Sequence, residues 1–205
     1  VTVPLGVLKA GTIKFIPDLP QYKKNAISSM KVGTLDKVIM YWDDETMDMF
    51  PSFSAAWGDY MDYDDLALIT PKTKTSGIFT YFFNSRRYNG LNTLTAWIGG
   101  SDAKNAEQSS DEDLMAIIMP HLNAIFNDDV PEPTKYIATR WASDEYSKGS
   151  YSFPSVGQPD TFNNLASDLG KSIDDKIFFA GEHTSNSEWA ATTVGAHQSG
   201  KAAAR

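Results

Sequence analysis

The sequence predicts a mixed α/β protein of the α+β kind, arranged in two domains. Runs of β-rich apolar residues and helical patterns both occur, but the strands are grouped and do not alternate strictly with helices. The 205 residues are 41% hydrophobic and 12% aromatic, which is enough for a substantial core and argues against global disorder. The length suits one large domain or two small ones.

The first half of the chain is expected to contain four strands and one helix. Val1–Leu8 is predicted to be a strand that Pro4 bends or places at the edge of a sheet. A turn at Pro17–Pro20 precedes a helix that runs from Gln21 to about Met30. The other strands are β-rich runs that end at polar or glycine turns: Leu35–Trp42, Phe79–Phe83 and Leu94–Ile98.

The second half contains the strongest amphipathic helix, which begins after Ser110. This serine is a typical N-cap, and the three acidic residues that follow it suit the first turn of a helix. Pro120 lies inside the helical pattern and is expected to kink or split the helix. The later elements are a strand at Tyr136–Trp141, a loop at Tyr146–Gly157, a helix at Phe162–Gly170, a strand at Ile177–Ala180 and a last helix that opens near Thr192 and Thr193.

Composition excludes several classes of function. The net charge of −8 argues against a nucleic-acid partner, which would favour a basic surface. The absence of cysteine excludes disulfides and thiolate sites, and the three widely spaced histidines predict no metal site. No apolar run is long enough to span a bilayer. We therefore expect a soluble protein, cytoplasmic or organellar and not of the disulfide-rich secreted kind.

The most informative stretch is the C-terminal one, from Ile177 to the last residue. A short strand is predicted to stop at Gly181 and Glu182, and a loop then leads to a helix that opens near Thr192 and Thr193. A strand with an acidic residue at its exit, followed by the N-terminus of a helix, is how many folds hold a phosphate or flavin. The alternative is a helix of small residues packed on a sheet beside a solvated glutamate.

Four blocks of sequence resemble the flavin-containing amine oxidase family, which includes polyamine oxidases, monoamine oxidases, L-amino-acid oxidases and lysine-specific histone demethylases. The blocks begin at Val1 (VTVPLGVLK, then IKFIPDLPQYKKNAI), Gly33 (GTLDKV), Thr139 (TRWASDEYSKGSYS) and Ala180 (AGEHT, then ATTVGAHQSG). Each block alone is a weak signal, but together they span the chain in the family's order. The resemblance most favours its polyamine-oxidase-like and demethylase-like members.

The resemblance implies a cofactor, FAD, and residues that bind it. Gly181 and Glu182 would contact its ribityl or pyrophosphate portion, and Thr192 and Thr193 would face the pyrimidine edge of the flavin ring. Trp141 would lie near the flavin as both a cofactor-binding and a catalytic residue. A helix N-terminus suits that edge because reduced flavin carries negative charge there.

The resemblance also implies catalytic roles for Lys37 and Tyr151. Lys37 would reach flavin N5 through a water molecule, where its charge would help oxygen to react, and Tyr151 would form a wall facing the substrate amine. Without the family, Lys37 would be assigned to the exposed face of an alternating strand, and Trp141 and Tyr151 to the core. Thr192 stands where monoamine oxidases have a second tyrosine, so a two-tyrosine cage is absent.

Ser150 stands where monoamine oxidases carry the cysteine that binds FAD covalently, so the resemblance implies non-covalent FAD. The family's G-x-G-x-x-G turn, which seats the pyrophosphate, does not occur in the sequence. We therefore expect the C-terminal part of a larger protein, inactive without the N-terminal half. The expected domains are 1–16 (a strand of the FAD-binding domain), 17–140 (mostly substrate-binding) and 141–205 (a return to the FAD-binding domain, with its last strand and helix).

The implied function is the oxidation of a polyamine-like or secondary amine. A hydride would pass to flavin N5, the imine would be hydrolysed, and O2 would reoxidise the flavin to give H2O2. Three alternatives stay open: an L-amino-acid oxidase, a chromatin-type lysine demethylase module, and a non-catalytic fragment. The first would need a cation for the substrate carboxylate, for which the candidates are Arg86, Arg87 and Arg140. Acidic stretches at Asp43–Asp48 and Asp59–Asp65 could attract a polyamine, although such runs are usually solvated loops.

Overall fold

The computed structural model describes residues 1–59, 65–67, 78–79, 81–126, 130–155 and 159–204. The helices in this part of the chain are α1 Leu5–Ala10, α2 Gln21–Ser29, α3 Asp44–Met49, α4 Pro51–Asp59, α5 Arg86–Asn89, α6 Gly100–Ala106, α7 Asp111–Phe126, α8 Pro159–Gly170 and α9 Thr193–Ala203. The strands are β1 Lys31–Gly33, β2 Leu35–Tyr41, β3 Asp65–Ala67, β4 Tyr81–Asn84, β5 Thr93–Gly99, β6 Lys135–Ala138 and β7 Tyr151–Phe153.

The chain forms two compact units, which mix helix and sheet as the sequence predicted. The first unit consists of Val1–Thr34 and Trp141–Arg205, and the second of Leu35–Arg140. Within the first unit, α2 packs on α1 and α8, and β1 pairs with β7. The domain boundaries that the sequence suggested, after residues 16 and 140, stay predictions. The assignment of these units to FAD and substrate binding stays a prediction.

The second unit is built on an antiparallel sheet of five strands in the order β3-β4-β5-β2-β6. Residues of β2 alternate between its two faces, as expected for a half-buried strand, so that Val38 and Met40 are buried while Ile39 is exposed. The buried face carries a large apolar core, to which α3, α4, α6 and α7 contribute. Its bulkiest members include Trp42, Phe53, Trp57, Phe79, Phe82 and Phe126.

The first unit has a smaller core and a short ribbon of two strands. The core lies among α1, α2 and α8 and contains Leu5, Leu8, Ala26, Ile27, Met30, Phe162, Ala166 and Leu169. In the ribbon, β1 and β7 run antiparallel with Gly33 opposite Tyr151 and Val32 opposite Ser152. None of the described helices is both long and apolar enough to cross a membrane.

The strand predicted for Val1–Leu8 is wrong, because helix α1 begins at Leu5. The carbonyl of Pro4 accepts the backbone N–H groups of Val7 and Leu8 at 3.0 and 3.2 Å, and Gly11 ends the helix in the left-handed conformation. Periodicity cannot distinguish a strand from a helix in so short an apolar run. Pro4 therefore precedes a helix here and does not bend a strand.

One further strand prediction needs correction, the helix around Pro120 is continuous, and three short strands, β1, β3 and β7, were missed. Residues 177–180 form no described strand: Ile177 makes one isolated bridge, to Ile173, and the Ala180 N–H donates to the carbonyl of Val1 at 3.0 Å. Helix α7 is not split, because Pro120 lies on its exposed side, where water can hydrogen-bond the carbonyl that the proline leaves unpaired. Strand β7 lies inside the predicted loop Tyr146–Gly157 and is only three residues long.

Candidate functional site

A cavity of about 280 Å³ in the first unit brings together three of the predicted cofactor residues, Trp141, Gly181 and Glu182. The rest of its lining is Thr2, Pro4, Ser147, Gly149, Ser150, His183 and Ala196. Pockets for small molecules usually measure about 300–1,000 Å³, so this cavity suits part of a dinucleotide better than the whole of one. A larger cavity of about 760 Å³ lies beside α1 and α2 and contains none of the predicted residues.

The Glu182 side chain of this cavity accepts three hydrogen bonds. Its Oε1 accepts the backbone N–H of Ser152 at 3.0 Å, and its Oε2 accepts the hydroxyl of Ser152 and the N–H of Ala191, both at 2.7 Å. A carboxylate offers about four acceptor positions, so one position remains for a hydroxyl group of a ligand. Glu182 therefore connects β7 to the loop before α9 by hydrogen bonds. It can still accept one hydrogen bond from a ligand, as predicted for a cofactor-binding residue.

A glycine is required at position 181, both by the backbone conformation and by the neighbouring side chain. Its φ of 146° is unfavourable for residues with a side chain, and a Cβ atom there would collide with the imidazole of His183. The hydroxyl of Ser199, on α9, accepts the Gly181 N–H and lies 3.0 Å from its carbonyl. Burial lowers the pKa of His183 despite the opposing effect of Glu182, which favours a neutral ring beside the cavity.

The N-terminus of α9 carries the two predicted threonines. The Thr192 hydroxyl accepts the N–H of Gly195 at 3.0 Å and donates to the carbonyl of Trp189 at 2.6 Å, so it acts as the N-cap. Within the described part of the chain, no hydrogen bond uses the N–H of Thr193 or Val194. These are the donors that a helix N-terminus presents to an anion or a carbonyl.

Gly195, one of the small residues of α9, is needed by the chain's own packing. A Cβ atom on Gly195 would collide with the Trp189 carbonyl, so the close approach at this position is made by the protein's own backbone. Ala191, just before the N-cap, has a φ of 61°, in the left-handed region that residues other than glycine rarely occupy. Its N–H is one of the donors to Glu182, which holds the loop in this conformation.

The segment from Trp141 to Tyr151 leaves its aromatic side chains accessible, against the alternative that they are core residues. Trp141 is 40% exposed, and its carbonyl accepts the N–H of Gly149 at 2.7 Å. Tyr151 is half-buried and lines a smaller cavity, of about 20 Å³, together with Glu182 and Ser150. The two aromatic residues therefore lie at neighbouring cavities of the same unit.

Lys37 belongs to the second unit, at the third position of β2. Its neighbours Asp36 and Val38 point to the core, and Lys37 lies on the opposite face, as strand alternation predicts. Its ammonium group stands 4.6 Å from the ring centre of Trp97, the residue opposite it on β5. No ion pair among the described residues involves Lys37, so its charge is not neutralised by a described carboxylate.

Asp43 of the first acidic stretch and two of the candidate arginines, Arg86 and Arg140, have partners within the chain. Asp43 caps α3 by accepting the Thr46 N–H at 2.9 Å, so Asp43–Asp48 is mostly helix and not a loop. The middle of the stretch Asp59–Asp65 and the side chain of Arg87 lie outside the described residues. Arg140 pairs with Asp111 at 2.7 Å, and the Arg86 guanidinium lies 5.9 Å from the ring centre of Trp57.

Sequence reasoning missed Ser152 and Ala191, the partners of Glu182. They lie 30 and 9 residues from it along the chain, and no spacing rule links these positions. The only signal in the sequence was that Ala191 begins the block ATTVGA. Their role became visible only from the hydrogen bonds that they make to the carboxylate.

Comparisons with known proteins identify relatives of this chain. In sequence, the chain is 36% identical to polyamine oxidase 4 of Oryza sativa subsp. japonica over 205 residues, which are 100% of this chain and 37% of that protein. It is also 36% identical to lysine-specific histone demethylase 1 homolog 1 of Arabidopsis thaliana over 203 residues, which are 97% of this chain and 22% of that protein. The chain thus spans well under half the length of these relatives.

A solved variant of putrescine oxidase with redesigned cofactor binding shares the fold. The TM-score is 0.70 at 17% sequence identity, and the match covers 100% of this chain and 41% of that one. The fold is therefore part of an amine oxidase fold, as the sequence predicted. The model of the family "Flavin containing amine oxidoreductase" matches residues 1–205. This chain belongs to the flavin-containing amine oxidoreductase family, whose name implies a flavin cofactor.

Proposed function

We propose that the protein containing this chain oxidises amines with non-covalently bound FAD, and that polyamine-like or secondary amines are its substrates. The observation that carries the proposal is the cavity in which Trp141, Gly181 and Glu182 meet, in a chain of this family. The relatives named polyamine oxidase support the substrate class. When bound, FAD would take two electrons from the C–H bond beside the amine nitrogen and pass them to O2, giving H2O2.

The residues of the first unit fit this cofactor. Glu182 has one acceptor position left after its bonds to Ser152 and Ala191, which suits a hydroxyl group of the ribityl chain. The N–H groups of Thr193 and Val194 are available for the carbonyl groups of the pyrimidine edge, where a helix N-terminus stabilises negative charge. Ser150 has no thiol with which to form a covalent link to flavin.

Three further residues have roles in the proposal. Tyr151 would provide an electron-rich surface against which an amine is held, and Trp141 would flank the flavin. Lys37, in the second unit, would supply a fixed positive charge to the atom that meets O2. The protein would thus position the amine against the flavin, exclude water from it and supply positive charge. No side-chain nucleophile is needed.

The arginine contacts favour an amine without a carboxylate group. Arg140 is paired with Asp111, and its guanidinium also donates to the Ser109 carbonyl at 2.8 Å. It is therefore less available to bind a substrate carboxylate, as an L-amino-acid oxidase would require. Lysine demethylation is the second candidate, because demethylase homologues match this chain as well as polyamine oxidases do.

The test is a peroxide assay on a protein that carries this chain and the upstream FAD-binding region. We expect H2O2 from polyamines, and the assay should include monoamines, L-amino acids and a dimethyl-lysine peptide. Lys37→Met should slow flavin reoxidation by about 10²-fold, whereas Lys104→Met, at an exposed lysine of α6, should not. Peroxide from the methylated peptide alone would favour the demethylase, and none from any amine would refute the proposal.

The 205-residue chain by itself should be inactive and should bind FAD weakly, because it supplies only part of the cofactor's contacts. Titration of the isolated chain with FAD, followed by flavin fluorescence, measures this directly. Tight binding of one FAD per chain would show that the described cavity is sufficient. It would also contradict the expectation that the upstream glycine-rich turn is needed.

A further inference from the structure

Gly33 lies directly opposite Tyr151 in the β1–β7 ribbon, and the tyrosine ring covers it. A Cβ atom placed on Gly33 would lie 3.1 Å from Cζ, 3.2 Å from Cε2 and 3.4 Å from the hydroxyl oxygen of Tyr151. An aromatic ring that packs over a glycine across a pair of strands is a known stabilising arrangement. The ring therefore occupies the space that any other residue at position 33 would need.

The backbone does not explain why this residue is glycine. Gly33 is not among the glycines with a positive φ, so an L-amino acid could adopt its conformation. Its role is different from that of Gly181, which is required by its backbone as well. The steric reason for a glycine at position 33 is the ring of Tyr151.

The backbone around Gly33 and Tyr151 is held by hydrogen bonds. A larger residue at position 33 would therefore displace the Tyr151 ring and not the backbone. The N–H of Ser150 donates to the Gly33 carbonyl at 2.8 Å, and the next residue of β7, Ser152, is bound through both its N–H and its hydroxyl to Glu182. Close packing of Gly149 against Val32 also fixes the two segments. A methyl group at position 33 would therefore push the tyrosine ring by a few tenths of an ångström.

We propose that Gly33 is a positioning residue, which sets where the ring of Tyr151 stands and thereby how an amine is held. This inference rests on the proposed function, in which Tyr151 faces the substrate. Gly33 does not touch the substrate and acts only through the ring. A larger residue at position 33 would displace the ring and change the space available to an amine.

The contact itself can be tested without any activity. In the NMR spectrum of the 205-residue chain, the α protons of Gly33 should be shifted upfield by the ring above them. Tyr151→Ala should remove this shift. If the α protons of Gly33 have ordinary shifts in the wild type, the ring does not cover the glycine, and the proposal is overturned whatever the enzyme does.

The functional consequence is tested in the longer, FAD-loaded protein with Gly33→Ala. We expect kcat/KM for the best amine to fall about tenfold, since small misplacements of a substrate-positioning group have large effects on rate. The affinity for an unreactive amine, measured by the change in flavin absorbance, should fall as well. Gly170→Ala is the matched control, because its nearest neighbour, Thr184, would lie at an ordinary 3.5 Å.

A double-mutant cycle separates positioning from a general structural effect. If Gly33 acts through the ring, Gly33→Ala should have no further effect on kcat/KM in a Tyr151→Ala background. Equal losses in both backgrounds would overturn the proposal, as would unchanged kinetics in Gly33→Ala. A wild type that binds FAD but oxidises no amine would instead refute the proposed function, and with it the role assigned to Gly33, while the NMR result would still report on the contact.

Discussion

The two units of this chain are stabilised in different ways. The second unit, Leu35–Arg140, buries a large apolar core against one face of a five-stranded sheet. The first unit has a small core and depends on specific polar contacts, such as those of Glu182, Lys23 and Ser199. The second unit thus has the larger apolar core, and hydrogen bonds of a few side chains connect the elements of the first.

This difference explains what kind of sequence signal each unit gives. An apolar core requires hydrophobic residues at regular spacing, but it tolerates exchange among residues of similar volume. A contact between one carboxylate and two backbone N–H groups requires particular residues at particular positions and no periodicity. The sequence therefore indicates the first unit mainly through motifs of particular residues. It indicates the second mainly through the periodic spacing of apolar residues.

The largest effect is expected in the core of the second unit. Trp42 is fully buried, its ring packs edge-on against that of Trp57, and its Nε1 donates to the Pro131 carbonyl at 2.8 Å. Trp42→Ala should lower the free energy of unfolding by about 3–5 kcal/mol, measured by urea denaturation of the chain. Leu91→Ala, at a residue that is 51% exposed, should change it by less than about 0.5 kcal/mol. Similar losses in both variants would contradict a core centred on Trp42.

An intermediate effect is expected for Glu182, whose carboxylate accepts three hydrogen bonds in the first unit. Glu182→Ala leaves the N–H and hydroxyl of Ser152 and the N–H of Ala191 without their acceptor, and should lower the free energy of unfolding by about 2–3 kcal/mol. Glu182→Gln keeps one acceptor oxygen, so its free energy of unfolding should fall by less. The exposed neighbour Glu188 provides the control, Glu188→Ala. If Glu182→Ala has the same free energy of unfolding as the wild type, the carboxylate does not stabilise the first unit. Its role would then be limited to binding a ligand.

The smallest effect is a dependence of stability on pH that Lys23 confers on the first unit. Burial lowers the pKa of Lys23 from 10.5 to about 8, although its ammonium group donates to the Leu169 carbonyl at 2.6 Å and lies 3.9 Å from the ring centre of Phe179. Between pH 8 and pH 10.5 the unfolded chain binds more protons than the folded one, so raising the pH favours the fold. We expect a gain of about 1–2 kcal/mol over this range.

Tyrosines titrate in the same range, so the gain is measured as a difference between variants. Urea denaturation at a series of pH values should show it in the wild type and in Lys24→Met, whose lysine is exposed beside Asp18, but not in Lys23→Met. A Lys23→Met variant with the same pH profile as the wild type would assign the dependence to other groups. The second unit should show no such dependence from buried lysines within its described residues.

The sequence predicted the long elements better than the short ones, for physical reasons. Strands β2 and β5 and helix α7 are long enough for their periodicity to be recognised, and the Ser110 N-cap was confirmed by its bond from the Asp113 N–H at 3.1 Å. Helix α1 and strand β7 have six and three residues, which is too few for a period to be distinguished. In such short elements, contacts with the rest of the unit decide the conformation.

The candidate site was predictable as a set of residues but not as an arrangement. Motifs identified Trp141, Gly181 and Glu182, and the structure brings these three to one cavity. The hydrogen bonds that hold Glu182 could not be predicted, because they join positions far apart in sequence without any repeated spacing. The role of Gly33 was hidden for the same reason, since its partner is 118 positions away (151 − 33).

The conformation of Ala191 implies that the loop before α9 stores energy. A residue with a Cβ atom costs roughly 1–2 kcal/mol in the left-handed region, and the charge-assisted bond to Glu182 offsets this cost. A peptide that contained only the loop and α9 would therefore relax to another shape. The loop takes its folded shape only while a carboxylate nine residues earlier holds it, so the orientation of the helix N-terminus is a property of the folded unit and not of the local sequence.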